Sequence, residues 1–159
     1  MCVLYYQSYH IATERTTEYI QLKMKKHLAI FTPNAVKQIL EGKKTIETRF
    51  SQKRIAPFGS LSVGDIVYIK PSGKDVVGQF VVKKILYFEG LSTEDWLMIK
   101  GYYGKNLSLG SGEADEQYFK SKELARFGTI IYIGRVEQFI TSPISIQKSD
   151  QRGWVVLEE

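Results

Sequence analysis

From His27 onward the sequence is a succession of short apolar runs of strand length, separated by turn residues and short helical patterns. No strand–helix–strand unit recurs at the ~30-residue spacing of a parallel doubly wound sheet, and no internal repeat is present. A chain patterned this way folds as an α+β domain, mostly β, with about six strands and short helices between them, as a compact sheet or a small barrel.

His27 to Phe31 reads as a buried strand. Thr32 then N-caps a short helix with Pro33 at its first position, Ala35, Val36, Ile39 and Leu40 on its inner face, and Gly42 as its stop. Lys44 to Phe50 is a second strand, followed by a basic loop over Ser51–Ser60. Asp65 to Lys70 and Val76 to Leu86 pair as a hairpin across the turn Pro71–Asp75. Ser92 and Asp95 have capping-box spacing, which predicts a helix over 93–100. Gly101 to Gly112 reads as a loop, a further helix is expected at 113–122, and strands over Thr129–Phe139 and Trp154–Leu157 complete the pattern. Residues 1–23 keep no sustained period. They are expected to be either a floppy or helical extension or the product of a start upstream of Met24, so the domain is expected over 24–159.

At 159 residues the chain is one ordinary domain. A domain of this size buries about 70% of the surface of its unfolded chain and needs no staple. Its single cysteine, Cys2, cannot form an internal disulfide, and together with His10 and His27 it falls short of a four-ligand zinc site, so neither metal nor cofactor is expected. No run approaches the ~20 apolar residues that span a bilayer, which makes the cytoplasm the expected location. The oligomeric state leaves no mark in the sequence.

The net charge is +5, but it is unevenly spread: residues 24–84 carry +8, residues 85–159 carry −3 and residues 1–23 carry none. Solvated surfaces without partners mix their signs, so this asymmetry predicts an anion-binding face in the first half of the domain.

The glycine-rich stretch 101–112 lacks both the Gly-Lys-Ser/Thr ending of a phosphate loop and a dinucleotide fingerprint, which leaves a surface loop able to act as a lid. His27 is the only histidine of the core and heads an apolar strand; without a Gly-x-Ser-x-Gly elbow it argues against a nucleophilic triad. Tyr68, Phe80, Tyr87, Phe88, Tyr132 and Phe139 fall inside strands, where core packing is the usual role and base stacking the rarer one.

The segment richest in chemistry is Gly42-Lys43-Lys44-Thr45-Ile46-Glu47-Thr48-Arg49-Phe50. On a strand, alternation sends Ile46, Thr48 and Phe50 to one face and Thr45, Glu47 and Arg49 to the other. Glu47 and Arg49 are then ~7 Å apart at Cα, close enough to pair or to grip one ligand, with Lys44 at the strand entrance. The plain alternative is an edge-strand salt bridge beside a solvated lysine.

The pattern Gly42-x-Lys44-x-x-Glu47-x-Arg49, preceded by an apolar strand and the helix Ala35–Leu40, resembles the signature of the ASCH domain family within the PUA-like superfamily. Ser62-x-Gly64-Asp65, Lys70-x-Ser72-Gly73 and Gly78 resemble its later landmarks, so the likeness covers about residues 26–145. The resemblance implies a PUA-like β-barrel with a cleft along the signature strand and an RNA or nucleotide-like ligand. Carried over, Lys44, Glu47 and Arg49 line the cleft and Lys70, Ser72 and Gly73 stand at its rim. Lys53 and Arg54, with Lys74, Lys83 and Lys84, extend a phosphate track. Lysine supplies a point charge for phosphate, arginine a planar fork, and a carboxylate can orient that fork or accept from a base amine.

Some relatives of this family are amidohydrolases acting on acetylated cytidine, with a threonine nucleophile three residues after the lysine. Glu47 occupies that position here, and Thr48 is expected to face the other side of the strand, which argues against that chemistry. A metal-independent ribonuclease is the other enzymatic reading, with Lys44, Arg49 and Ser72 around the phosphate and Tyr118 or Lys122 as helpers. Its only base candidate is Glu47, and an ion-paired carboxylate is a weak base. Sequence reasoning therefore assigns no catalytic residue. It puts RNA or nucleotide binding first, hydrolysis second, and protein-partner binding without nucleic acid third.

Overall fold

The structure of the protein, a computed structural model, describes residues 23–104, 112–141, 145–146 and 151–157. The expected extension, apart from Lys23, and most of the glycine-rich stretch lie outside the described residues. In chain order the elements are β1 (Lys26–Phe31), α1 (Pro33–Leu40), β2 (Ile46–Ser51), β3 (Ile66–Pro71), β4 (Gly78–Glu89), α2 (Thr93–Tyr103), α3 (Gly112–Lys122), β5 (Phe127–Gln138) and β6 (Trp154–Leu157).

Helix α1 begins and ends on the residues that the sequence nominates. Thr32 Oγ1 accepts the Ala35 N–H at 3.3 Å, and Pro33 takes the first turn, where no N–H is needed. At the other end Gly42 adopts φ 71° and its N–H returns to the Ile39 carbonyl at 3.0 Å, satisfying a carbonyl the helix leaves orphaned. Helix α2 carries the expected capping box between Ser92 and Asp95. It continues through Gly101 to Tyr103, three residues into the stretch read as a loop. Tyr103 packs its ring 6.4 Å from that of Tyr132, a tertiary contact set against glycine's helix cost of ~1 kcal/mol.

The six strands form one sheet in the order β2-β5-β4-β3-β1-β6, curled into a half-barrel. β1 runs parallel to β3, and the other neighbours are antiparallel. The β3–β4 hairpin closes where the sequence places it, with Gly73 at φ 74°. Register irregularities between Phe80 and Lys84 interrupt the β4–β5 ladder, a feature that bends a strand and helps the sheet curl. Gly78 is a close-approach glycine: a Cβ there would stand 2.5 Å from the Glu137 carbonyl oxygen.

The concave face holds one core, built from residues such as Phe31, Val67, Ile69, Phe80, Ile131 and Trp154, against which α1 lays Val36 and Ile39. On the opposite face Ile46, Leu86, Phe88 and Ile130 pack with Trp96 and Ile99 of α2 and Phe119 of α3. Most of the strand aromatics pack as expected; Tyr68, Phe80 and Phe88 are buried. At one end of the half-barrel, Asp65 accepts the N–H groups of Ser62 (2.7 Å) and Lys25 (2.9 Å) and contacts Nε2 of the fully buried His27 at 3.1 Å. Trp154 Nε1–H donates to His27 Nδ1 at 3.2 Å, so the Nε2 proton goes to Asp65 and the imidazole is neutral. Burial holds the His27 pKa below its ordinary value, against the raising effect of Asp65. His27 thus ties β1 to β6 and to the turn before β3.

Candidate nucleic-acid interface

β2 ends the sheet, and the curl brings it opposite the end of β1 without pairing to it. Arg49 crosses that seam. Its Nη2 donates to the Ile30 carbonyl at 3.0 Å and its Nη1 to the Gly153 carbonyl at 3.3 Å, while its guanidinium lies 5.1 Å from the Phe31 ring centre and 5.4 Å from that of Trp154. Gly153 leaves room for this, since a Cβ would come 3.1 Å from Nη1. Glu47 joins the two cations of the segment, with Oε1 2.9 Å from Arg49 Nε and Oε2 3.3 Å from Lys44 Nζ. The Arg49 Nε–H is not aligned on that oxygen, so the contact is an ion pair rather than a hydrogen bond. The Lys44 side chain is only 5% exposed, which replaces the reading of a solvated lysine beside a surface pair.

On the other face of β2, Thr48 Oγ1 lies 2.8 Å from the Tyr118 hydroxyl of α3. Burial pushes the Tyr118 pKa up to about 12, so the phenol stays neutral and able to donate. Lys122, one turn further along α3, places Nζ 5.9 Å from the Tyr118 ring centre.

These groups meet in a cleft of about 510 Å³, within the size range of small-ligand sites. Among its lining residues Lys44, Arg49 and Lys122 face a single carboxylate, Glu47, giving a net charge of +2. Phe31, Phe50, Phe58, Tyr118, Phe127 and Trp154 supply six aromatic rings. Thr48 lines the cleft although its side chain points to the helix face, because the cleft wraps around the free edge of β2.

Lys70, Ser72 and Gly73 do not enter this cleft. With Lys74, Asp75 and Arg152 they line an adjoining depression of about 620 Å³, separated from the first by the wall of Ile30 and Gly153. Lys70 Nζ hydrogen-bonds the Lys74 carbonyl across the turn. Lys53 and Arg54 line neither hollow: both are exposed, and Arg54 pairs with Glu89 at 3.2 Å while lying over Phe58 at 5.2 Å. Lys83 and Lys84 are exposed on β4 and also lie outside both. Tyr118 and Lys122, named as helpers, do line the cleft. The lining at Ile55–Phe58, Thr129, Gly153 and Trp154 escaped sequence reasoning. Ile55, Pro57 and Phe58 left a trace as apolar residues inside a basic loop, whereas Gly153 and Trp154 left none near the signature.

No family model matches the chain, and no curated protein matches it. Solved structures do. The fold, a curled half-barrel, is that of solved ASCH domain structures. The ASCH protein of Zymomonas mobilis superposes with a TM-score of 0.59 at 17% identity, over 85% of this chain and 89% of that one. Its serine-to-alanine variant gives 0.62 at 19% identity, over 85% and 89% of the two chains. Its tyrosine-to-phenylalanine variant gives 0.63 at 19% identity, over 85% and 91%. The fold expected from the signature segment is therefore the fold observed.

Proposed function

We propose that the protein is an RNA- or nucleotide-binding module of the ASCH type, acting in the cytoplasm, with its ligand in the cleft along β2. The observation that carries this reading is the lining itself: three cations against one carboxylate, set among six aromatic rings. That combination suits a ligand with both phosphate charge and a stacking face. Lys44 and Lys122 contact phosphate, and Glu47 orients Arg49 while remaining able to accept from a base amine. Lys70, Ser72 and Gly73 take the neighbouring phosphate across the Ile30 wall, and Lys53 and Arg54 add only long-range attraction.

The test is fluorescence anisotropy of a labelled single-stranded RNA decamer across a salt series. Affinity should fall as salt rises and drop about tenfold or more in a Lys44→Glu, Lys122→Glu double variant that keeps its fold. Absence of binding at low salt, or equal binding by the double variant, would refute the proposal. One observation also favours hydrolysis in the same cleft: the Thr48–Tyr118 hydroxyl pair sits beside Lys44 and Glu47. Incubation with RNA and with acetylated cytidine, compared with a Glu47→Gln control, decides that reading by the presence or absence of product above the control.

A further inference from the structure

The backbone of β2 offers more than its side chains. Ile133 N–H donates to the Thr45 carbonyl at 2.9 Å, and the pairing continues in register through Glu47↔Ile131 and Arg49↔Thr129. In an antiparallel ladder alternate residues bond to the partner strand, so the odd-numbered residues of β2 face β5, and Thr48 and Phe50 turn their N–H and C=O groups toward the seam. No strand covers that edge, and no hydrogen bond to these backbone groups is made among the described residues.

Two further observations make this edge accessible to a ligand. The cleft is lined by five consecutive residues, Glu47 to Ser51. Side chains alternate between faces, so a hollow touching every residue of a strand meets it edge-on. Thr48 is also a buried residue, only 6% exposed, on an edge that no neighbouring strand satisfies. Arg49 reaches across the seam to the Ile30 and Gly153 carbonyls and ties its two sides together without covering the β2 edge.

We propose that the free edge of β2 is a base-reading site: Thr48, supported by Phe50, presents a backbone donor and acceptor to the polar edge of a nucleobase lying in the seam. This rests on the nucleotide-binding reading and adds that the base, not only the phosphate, is recognised. A free strand edge also accepts peptides, but the aromatic rings and the net +2 of the cleft favour a nucleotide.

The experiment is calorimetric titration of the full chain with ribose 5-phosphate, UMP, AMP and their edge-blocked forms, N3-methyl-UMP and N1-methyl-AMP. UMP or AMP should bind about tenfold more tightly than ribose 5-phosphate, and methylation should remove most of that gain, at about three- to tenfold per hydrogen bond. Thr48→Pro deletes the outward N–H without touching the β5 ladder, a change edge strands accept. Its loss of the base-dependent gain should exceed that of Thr48→Val, which removes the hydroxyl alone; if Thr48→Pro does not fold, the methylated nucleotides carry the test. Equal binding of methylated and unmethylated nucleotides, or of nucleotides and ribose 5-phosphate, overturns the inference while leaving phosphate binding intact. No binding by any of these ligands or by RNA overturns the nucleotide-binding reading itself. Binding of a blocked Thr-Val repeat peptide in place of nucleotides overturns the inference in favour of strand addition.

Discussion

Replacing Arg49 with alanine opens the seam between the two ends of the sheet. The arginine makes two hydrogen bonds from a charged donor to the Ile30 and Gly153 carbonyls, a contact with Glu47, and two ring contacts. Bonds from a charged donor are worth about 1.5–3 kcal/mol each in protected sites, and a cation over a ring adds about 0.5–1 kcal/mol where partly exposed. The side chain is 23% exposed and its contacts share one head group, so the sum must be discounted for solvent screening and non-additivity. The expected loss is about 3 kcal/mol, a fall in Tm of about 6–12 °C for a domain of this size. Urea unfolding followed through the fluorescence of Trp96 and Trp154 measures it. Arg49→Lys should recover less than half, because an ammonium cannot reach both carbonyls in the plane of the fork. If Arg49→Ala unfolds within about 0.5 kcal/mol of the parent protein, Arg49 is not a strut across the seam. The same arithmetic explains why Lys44 and Lys122, rather than Arg49, are the substitutions for a binding assay: an Arg49 variant confounds lost ligand contact with a loosened cleft.

His27 has its pKa held below the ordinary 6.5, so the unfolded chain takes up its proton first as pH falls. Its contribution is complete above pH 6.5 and erodes toward the lower folded pKa; urea unfolding between pH 7.5 and 5.5 should show stability rising with pH, with a shallower slope in His27→Gln. A Gly78→Ala variant forces a Cβ to within 2.5 Å of the Glu137 carbonyl, and should cost about 1–3 kcal/mol in the same assay; unchanged stability would mean the β4–β5 contact yields without strain. Burial lifts the pKa of both Tyr87 and Tyr118 to about 12. Alkaline titration at 295 nm should therefore show a late phase that shrinks in Tyr118→Phe, and the lost hydroxyl pair should lower stability by about 1 kcal/mol.

Much of this protein is written in short-range chemistry. The caps of α1, the capping box of α2 and the β3–β4 turn need only residues a few positions apart, and the structure returns each of them where the sequence puts it. Lys44, Glu47 and Arg49 could be grouped from sequence for the same reason: three and two residues of spacing on one short segment bring their charges together whatever the rest of the chain does. What spacing could not supply was their partners. Arg49 bonds to a carbonyl 104 residues away and Thr48 to a tyrosine 70 residues away, contacts created by the curl of the sheet and the docking of α3. The same curl puts Ile30 and Gly153 between Lys70 and Lys44, and leaves Arg54 turned outward to Glu89. Composition and local pattern determined that there would be a basic, mostly β domain with a charged signature strand. Only the tertiary structure decided that this strand is a free edge, because whether a strand is central or terminal depends on which distant segments pair with it.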